Sequence, residues 1–253
     1  MIPNSFSVGP LTFHFYGLIA AIAVFTGWQI AKKRAKIYKI PQNIFEDWVM
    51  VLPLIFGLIG ARAYHVIDFW QYYIQNPTQI IQLSMGGLGV WGGILGMIFG
   101  FWQVAAIRKI NPLRFLDLLS PSIILGQAIG RIGNYINQEG FGPPTNLPWG
   151  VYIDSANRPL QFTNPTHFHP TFFYEAILNL IAFYLLLKLS SKFAKPGQIF
   201  GLYLVLYGII RFVTEFWRID TARIGAIQTA HLISIASISI GLYLLTRLPK
   251  KQS

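Results

Sequence analysis

The 253-residue chain contains no cysteine, which excludes a disulfide, a thiolate metal site and a cysteine nucleophile. Any thiol chemistry it performs must use a thiol that the substrate brings. Charge is scarce as well: 11% of residues are charged, against roughly 25% in an average soluble domain, too few to coat a soluble globule of this length. Acidic residues are scarcest, nine against twenty Lys and Arg, for a net charge of +11. The sequence carries no HExxH pair, heptad pattern, long low-complexity tract or internal repeat, so a zinc hydrolase, a coiled coil and an inverted-repeat transporter are all left without their usual marks.

What is present is hydrophobic: 53% of residues, gathered into runs of about 20, the length that crosses a bilayer as a helix. This predicts an all-α membrane protein with seven transmembrane helices, near residues 11–31, 48–67, 85–107, 115–136, 170–189, 198–217 and 226–245. Residues 1–253 then form a single polytopic membrane domain. Its one sizeable polar insertion, at about 137–169, is rich in Pro, Asn and Gly and reads as a small extracytoplasmic lobe between helices four and five. No basic stretch precedes the first apolar run, so that run is expected to be retained rather than cleaved as a signal peptide.

The basic residues set the direction. Lys32, Lys33, Arg34, Lys36 and Lys39 follow the first span, and Arg108, Lys109 and Arg114 lie between the third and fourth. Lys188, Lys192 and Lys195 follow the fifth, and Arg247, Lys250 and Lys251 close the chain, which puts fourteen of twenty on one side. Only Arg158, Arg218 and Arg223 fall on the other. The excess predicts an outside N-terminus and a cytoplasmic C-terminus, and it accounts for the positive charge without a nucleic-acid partner.

Three arginines remain, Arg62, Arg131 and Arg211, each inside a span, where a guanidinium costs ~2.5–3.5 kcal/mol on insertion scales unless it faces a partner, water or a ligand. Counted from the inner span ends, Arg131 lies ~24 Å and Arg211 ~20 Å up their helices, both in the outer half. Tyr16 and Trp91 come to similar heights on spans one and three. Spacing of three and four residues gives one stripe of Gln127, Arg131 and Asn134 and another of Tyr207, Arg211 and Glu215, so Glu215 is expected to neutralise Arg211. Asp117 and Glu175 are expected to be structural partners, for Arg62 or a neighbouring helix end. Gly89, Gly93, Gly96 and Gly100, and Gly126 and Gly130, offer small faces for close helix packing.

The least ordinary stretch is GRIGNYINQEGFG at 130–142, where Arg131, Asn134, Asn137 and Glu139 stand among four glycines at the outer interface. A glycine-rich helix end with a guanidinium suits an anionic phosphate. The run resembles the signature of the prolipoprotein diacylglyceryl transferase family, matching it at Gly130, Arg131, Gly133, Asn134, Asn137, Glu139 and Gly142, with Tyr135 in place of a phenylalanine. Further likeness extends over nearly the whole chain: HFYGL at 14–18, GARAY at 60–64, HPTFFYE at 169–175 with Phe172 where glutamine is usual, and YGIIRFVTEFWR at 207–218. One departure concerns chemistry. Many members carry a histidine before the Gly-Gly of span three, and here Trp91 precedes Gly92 and Gly93. Tryptophan cannot act as a base, which leaves His14, His65, His169, Glu139 and the lipid phosphate as candidates.

The resemblance implies the seven-helix, N-outside layout and a place in the bacterial inner (plasma) membrane. It also implies a reaction: the lipobox cysteine thiol of a prolipoprotein attacks phosphatidylglycerol, a thioether forms, and glycerol 1-phosphate leaves, the first step of lipoprotein maturation. The partners implied are phosphatidylglycerol, prolipoprotein signal peptides with a lipobox cysteine, and membrane lipid; no cofactor or metal is implied. The expected catalytic residues are Arg211, Arg131 and Tyr16, and the expected substrate-binding residues are Arg131, Asn134, Glu139, Gly142, Tyr207 and His14. Arg131 would take the lipid phosphate and Arg211 the charge on the leaving phosphate. The alternatives are a lipid transporter, which should spread polar groups through the full membrane depth, and a scaffold binding anionic lipid through its basic inner loops.

Overall fold

The computed structural model describes residues 5–9, 11–82, 87–193, 195–219, 221, 223–225 and 227–246. Among these residues the chain forms α1 (Phe15–Arg34), α2 (Leu52–Asp68), α3 (Trp70–Gln75), α4 (Val90–Ile107), α5 (Pro112–Asn137), α6 (Thr171–Leu189), α7 (Gln198–Glu215) and α8 (Thr229–Thr246). Three small antiparallel hairpins accompany them: β1 (Ser5–Val8) with β2 (Leu11–His14), β3 (Val151–Tyr152) with β4 (His167–Phe168), and β5 (Arg223–Ile224) with β6 (Ile227–Gln228). Among the described residues six helices are long and apolar enough to cross a membrane, and α4 has a shorter apolar stretch, Gly92–Ile107. Large apolar side chains point outward along them, among them Phe25, Ile59, Leu95, Ile181 and Tyr243. Such helix faces suit lipid, and the chain is a multi-pass helical membrane protein.

Two boundaries differ from the expected spans. Residues 11–14 are strand, because Leu11 pairs with Val8 and His14 with Ser5 around a turn in which Gly9 takes φ +60°, so α1 starts at Phe15 and runs on to Arg34. The third helix starts at Val90 rather than residue 85: Gly87 to Gly89 are non-helical, Gly87 at φ +76°, and residues 85 and 86 lie outside the described residues.

The chain divides into two compact units, residues 35–115 and residues 1–34 with 116–253. In the first, α2 and α4 pack backbone against backbone. A Cβ added at Gly60 would fall 2.3 Å from the Gly92 carbonyl oxygen, and one at Gly96 would fall 2.0 Å from that of Phe56. Arg62 is buried, and its guanidinium donates to the carbonyls of Gln79 (2.5 Å), Ile80 (2.7 Å), Gln82 (3.1 Å) and Gly87 (2.9 Å), with the Tyr73 ring 5.2 Å away. This arginine organises the backbone of a loop. Asp47 caps the turn before α2 through the Val49 amide and pairs with Arg108 beyond α4; the hydrogen bond from Arg108 holds its carboxyl below the usual carboxylate range.

In the second unit, α5, α6 and α7 share a core of Ile124, Ala182, Leu186, Ile199, Tyr203 and Ile210. Asp117 accepts from the amides of Gly197 (2.6 Å) and Phe200 (2.8 Å), capping the start of α7, which is the helix-end role expected of it. Gly201 and Gly241 bring α7 and α8 together, whereas within their own unit, among the described residues, a Cβ at Gly126 or Gly130 would meet nothing within 4 Å. The insertion at 137–169 has a small aromatic core of its own, Phe141, Ile153 and Phe168, closed by Phe172 of α6.

The two glycine sets should respond differently to substitution. Gly96→Leu is expected to lower stability by about 1–3 kcal/mol through overpacking, and Gly126→Ala to raise it by up to about 1 kcal/mol through the helix backbone. Thermal unfolding of the two variants in detergent micelles measures the contrast.

Candidate active site at the ends of three spans

The site begins with the way α5 ends. Gln138 (φ +52°) and Gly140 (φ +69°) both take the left-handed conformation, which stops the helix after Asn137. The Gln138 side chain accepts from the Asp154 amide (2.7 Å) and from Asn157 Nδ2 (3.1 Å), tying the turn to the lobe. The Gly140 carbonyl accepts from Thr171 Oγ1 (2.6 Å), and the Gly142 amide donates to the His169 carbonyl (2.8 Å), tying it to the start of α6. A Cβ at Gly142 would sit 2.7 Å from the Trp217 carbonyl and 2.8 Å from Thr171 Cγ2. Gly142 is thus the point where the α5 turn, the start of α6 and the end of α7 meet.

This closure places Arg131 of α5, Glu175 of α6 and Arg211 of α7 together. Glu175 Oε1 pairs with Arg131 Nη2 and Glu175 Oε2 with Arg211 Nη1 at 3.3 Å, so one carboxylate bridges both guanidiniums. Glu215 Oε2 lies 2.6 Å from Arg211 Nη2, the i, i+4 pairing read from the sequence. Arg131 Nη1 donates to Asn134 Oδ1 (2.9 Å), Asn134 Nδ2 to Glu139 Oε1 (3.1 Å), and Asn137 Nδ2 to the same oxygen (3.4 Å). The two cations and two buried anions compensate one another, as charges removed from water require.

Exposure separates the signs. The side chains of Arg131 and Arg211 are 17% and 19% accessible, and those of Glu175 and Glu215 only 2%. The arginine side chains are therefore the members of the cluster that reach the surface, and the two carboxylates lie beneath them. Each guanidinium has five N–H donors, and the contacts above leave some of them for a ligand.

The other expected site residues fall as follows. The Tyr16 ring packs against Gly133, where a Cβ would lie 2.6 Å from its Cδ2, next in sequence to Asn134. Tyr207 lies one turn from Arg211, stacked on Tyr203 with centroids 6.0 Å apart, in the electrostatic field of Glu175, Arg131, Arg211 and Arg218. His14 ends β2, and its side chain, like that of Trp91, lies outside what the structure describes. His169 Nδ1 is 3.1 Å from the Tyr174 hydroxyl, and His65 stacks on Phe69 in the other unit. A groove of about 830 Å³ in the lobe, lined by Pro144, Leu147, Asn164 and His167 among others, contains none of the expected residues. From the sequence Glu175 is a structural partner for Arg62 or a helix end, whereas in the structure it joins Arg131 and Arg211. The signal available was charge balance, since two arginines at one depth need anions at that depth, and Glu175 closes the HPTFFYE motif.

Fold and site together define a multi-pass helical membrane protein with a charge-compensated pair of partly exposed arginines at the ends of three spans. The family model described as prolipoprotein diacylglyceryl transferase matches residues 3–247. A protein named phosphatidylglycerol--prolipoprotein diacylglyceryl transferase from Finegoldia magna is 38% identical over 248 residues, covering 98% of this chain and 96% of its own. Proteins of the same name from Acaryochloris marina and Clostridium novyi are 39% and 33% identical, covering 96% and 98% of this chain and 89% and 96% of theirs. The chain belongs to the prolipoprotein diacylglyceryl transferase family.

Removing the shared carboxylate should destabilise the protein more than removing an exposed one. Glu175→Gln is expected to lower the melting temperature by roughly 6–12 °C, corresponding to ~3 kcal/mol for Arg131 left without its buried carboxylate and Arg211 left with Glu215 alone. Glu139→Gln, at an exposed position, is expected to cost under about 1 kcal/mol, and the same thermal scan compares them.

Proposed function

We infer that this chain transfers the diacylglyceryl group of phosphatidylglycerol to prolipoproteins. Family membership supports the activity, and the observation that carries the site assignment is the pair of partly open guanidiniums backed by sealed carboxylates. The transporter and scaffold alternatives gain no support from the family.

The acceptor in this reading is the lipobox cysteine thiol in the prolipoprotein signal peptide, since the chain has no cysteine of its own. The sulfur bonds to the lipid glycerol carbon that carries the phosphate, and the carbon–oxygen bond to that phosphate breaks. The products are a thioether and glycerol 1-phosphate, and the proton lost from sulfur balances the new charge on the phosphate monoester. This is the first step of lipoprotein maturation, placed in the bacterial inner membrane. The chain works as one polytopic domain with seven spans, the N-terminus outside, the C-terminus in the cytoplasm and the 137–169 lobe on the outer side.

Arg131 holds the lipid phosphate through a planar fork that lysine does not reproduce. Arg211 stabilises charge on the departing phosphate, where a preorganised donor in a water-poor site is worth ~2.7–4 kcal/mol of barrier. Asn134 and Tyr16 bind glycerol hydroxyl or phosphate oxygens, and Tyr207 positions Arg211. Glu139 holds Asn134, Gly142 holds the turn that presents them, and His14 contributes to substrate binding.

The purified chain, supplied with phosphatidylglycerol and a lipobox peptide, should release glycerol 1-phosphate only when both are present. Arg131→Ala and Arg211→Ala should each lower kcat/KM by about 100-fold or more. Near-wild-type turnover in both variants would remove the charge roles assigned here.

A further inference from the structure

One turn inward of the arginine bridge lies a layer of polar groups that the reaction described above does not use. The buried stripe of α6 runs Glu175, Asn179, Ala182, Leu186. The facing stripe of α5 runs Arg131, Gln127, Ile124. Glu175 meets Arg131 at one end, and Ala182 and Leu186 share a cluster with Ile124 at the other, so Asn179 and Gln127 fall at the same level between them. Gln127 Nε2 donates to the Tyr203 hydroxyl of α7 at 3.1 Å, which brings the third helix to this layer.

Asn179 is fully buried, yet neither its Nδ2 nor its Oδ1 has a hydrogen-bond partner among the described residues. Gln127 Oε1 and Arg131 Nε are buried and unpartnered in the same way. Unpaired buried polar groups are costly, and native proteins satisfy them with protein, water or ligand. The unmet demand here has both signs: amide and guanidinium N–H groups that donate, and amide oxygens that accept. Exchanging the oxygen and nitrogen of either side-chain amide leaves a mixed set.

We propose that Asn179 and Gln127 form a hydroxyl-binding subsite that reads the glycerol headgroup of the donor lipid. The proposal rests on the transferase reading above. With its phosphate on Arg131, the lipid has two glycerol arms, and they differ in hydrogen-bonding chemistry. The acylated arm offers ester oxygens, which only accept. The headgroup arm carries two free hydroxyls, each a donor and an acceptor, and so meets a mixed demand that a phosphate oxygen or an ammonium group meets on one side only. The unpartnered Arg131 Nε belongs to the guanidinium assigned to the phosphate, so phosphate and headgroup contacts share one side chain. A water molecule has the same double character and is the competing occupant.

The test compares two donors with identical acyl chains, phosphatidylglycerol and phosphatidylpropanol, which lacks the headgroup hydroxyls, using the full chain in detergent with a lipobox peptide. The wild type should favour phosphatidylglycerol by about tenfold or more in kcat/KM, and Asn179→Leu and Gln127→Leu should each reduce that preference to within about threefold. Turnover of phosphatidylpropanol in the same preparation reports folded enzyme, and Gln127→Leu carries the test if Asn179→Leu does not fold. Equal use of the two lipids by the wild type, as expected if the layer holds water, overturns the subsite and leaves the transferase reading standing. A preference retained in both variants overturns it as well. No transfer from either lipid by the wild type overturns the transferase reading and the subsite with it.

Discussion

The buried carboxylate of Glu175, shared between Arg131 and Arg211, is the interaction on which the rest of the site depends. A lone guanidinium within a span would snorkel to the interface or draw water to itself. Two of them bound to opposite oxygens of one carboxylate stay where they are and keep a fixed separation. The bridge also ties three helices together at one height, because α5, α6 and α7 each supply one of the three groups. It makes the site electrically tolerable without a ligand and leaves the cations as the parts nearest to an arriving anion.

Other features serve this constraint from a distance. The left-handed turn after α5 and the close approach at Gly142 bring the start of α6 against the end of α5, which lets Glu175 reach Arg131. The Asp117 cap on α7 and the apolar cluster of Ile124, Leu186 and Ile199 fix the opposite ends of the same helices. Within the other unit Arg62 is used differently. Its guanidinium is occupied by loop carbonyls, so an arginine in a span does not by itself mark a reaction centre. The contacts differ in kind: Arg131 and Arg211 meet carboxylates at partly exposed positions, while buried Arg62 donates to four loop carbonyls.

Much of this was legible in the sequence, and the limits have physical causes. Span positions follow from composition, because a bilayer demands about 20 apolar residues per helix. The stripe of Tyr207, Arg211 and Glu215 and the Asp117 cap were readable because they rest on helical spacing and on the needs of helix ends. The strand at Leu11–His14 was missed because a short apolar run fits helix and strand alike, and only its pairing with Ser5–Val8 decides. Gly126 and Gly130 have the right spacing for close packing but meet no neighbour among the described residues of their own unit, since spacing names a face without naming what lies opposite. The double role of Glu175 and the unpaired amide of Asn179 depend on how three helices meet, which no single segment encodes.

The proposed function requires both guanidiniums to close on one lipid phosphate while Glu175 keeps them together. An experimentally determined structure of the chain with phosphatidylglycerol bound tests it most directly. The phosphate oxygens are expected within hydrogen-bonding distance of both Arg131 and Arg211, with Glu175 still bridging the pair behind them. A phosphate bound elsewhere, with the two arginines still enclosed by their carboxylates, would contradict it.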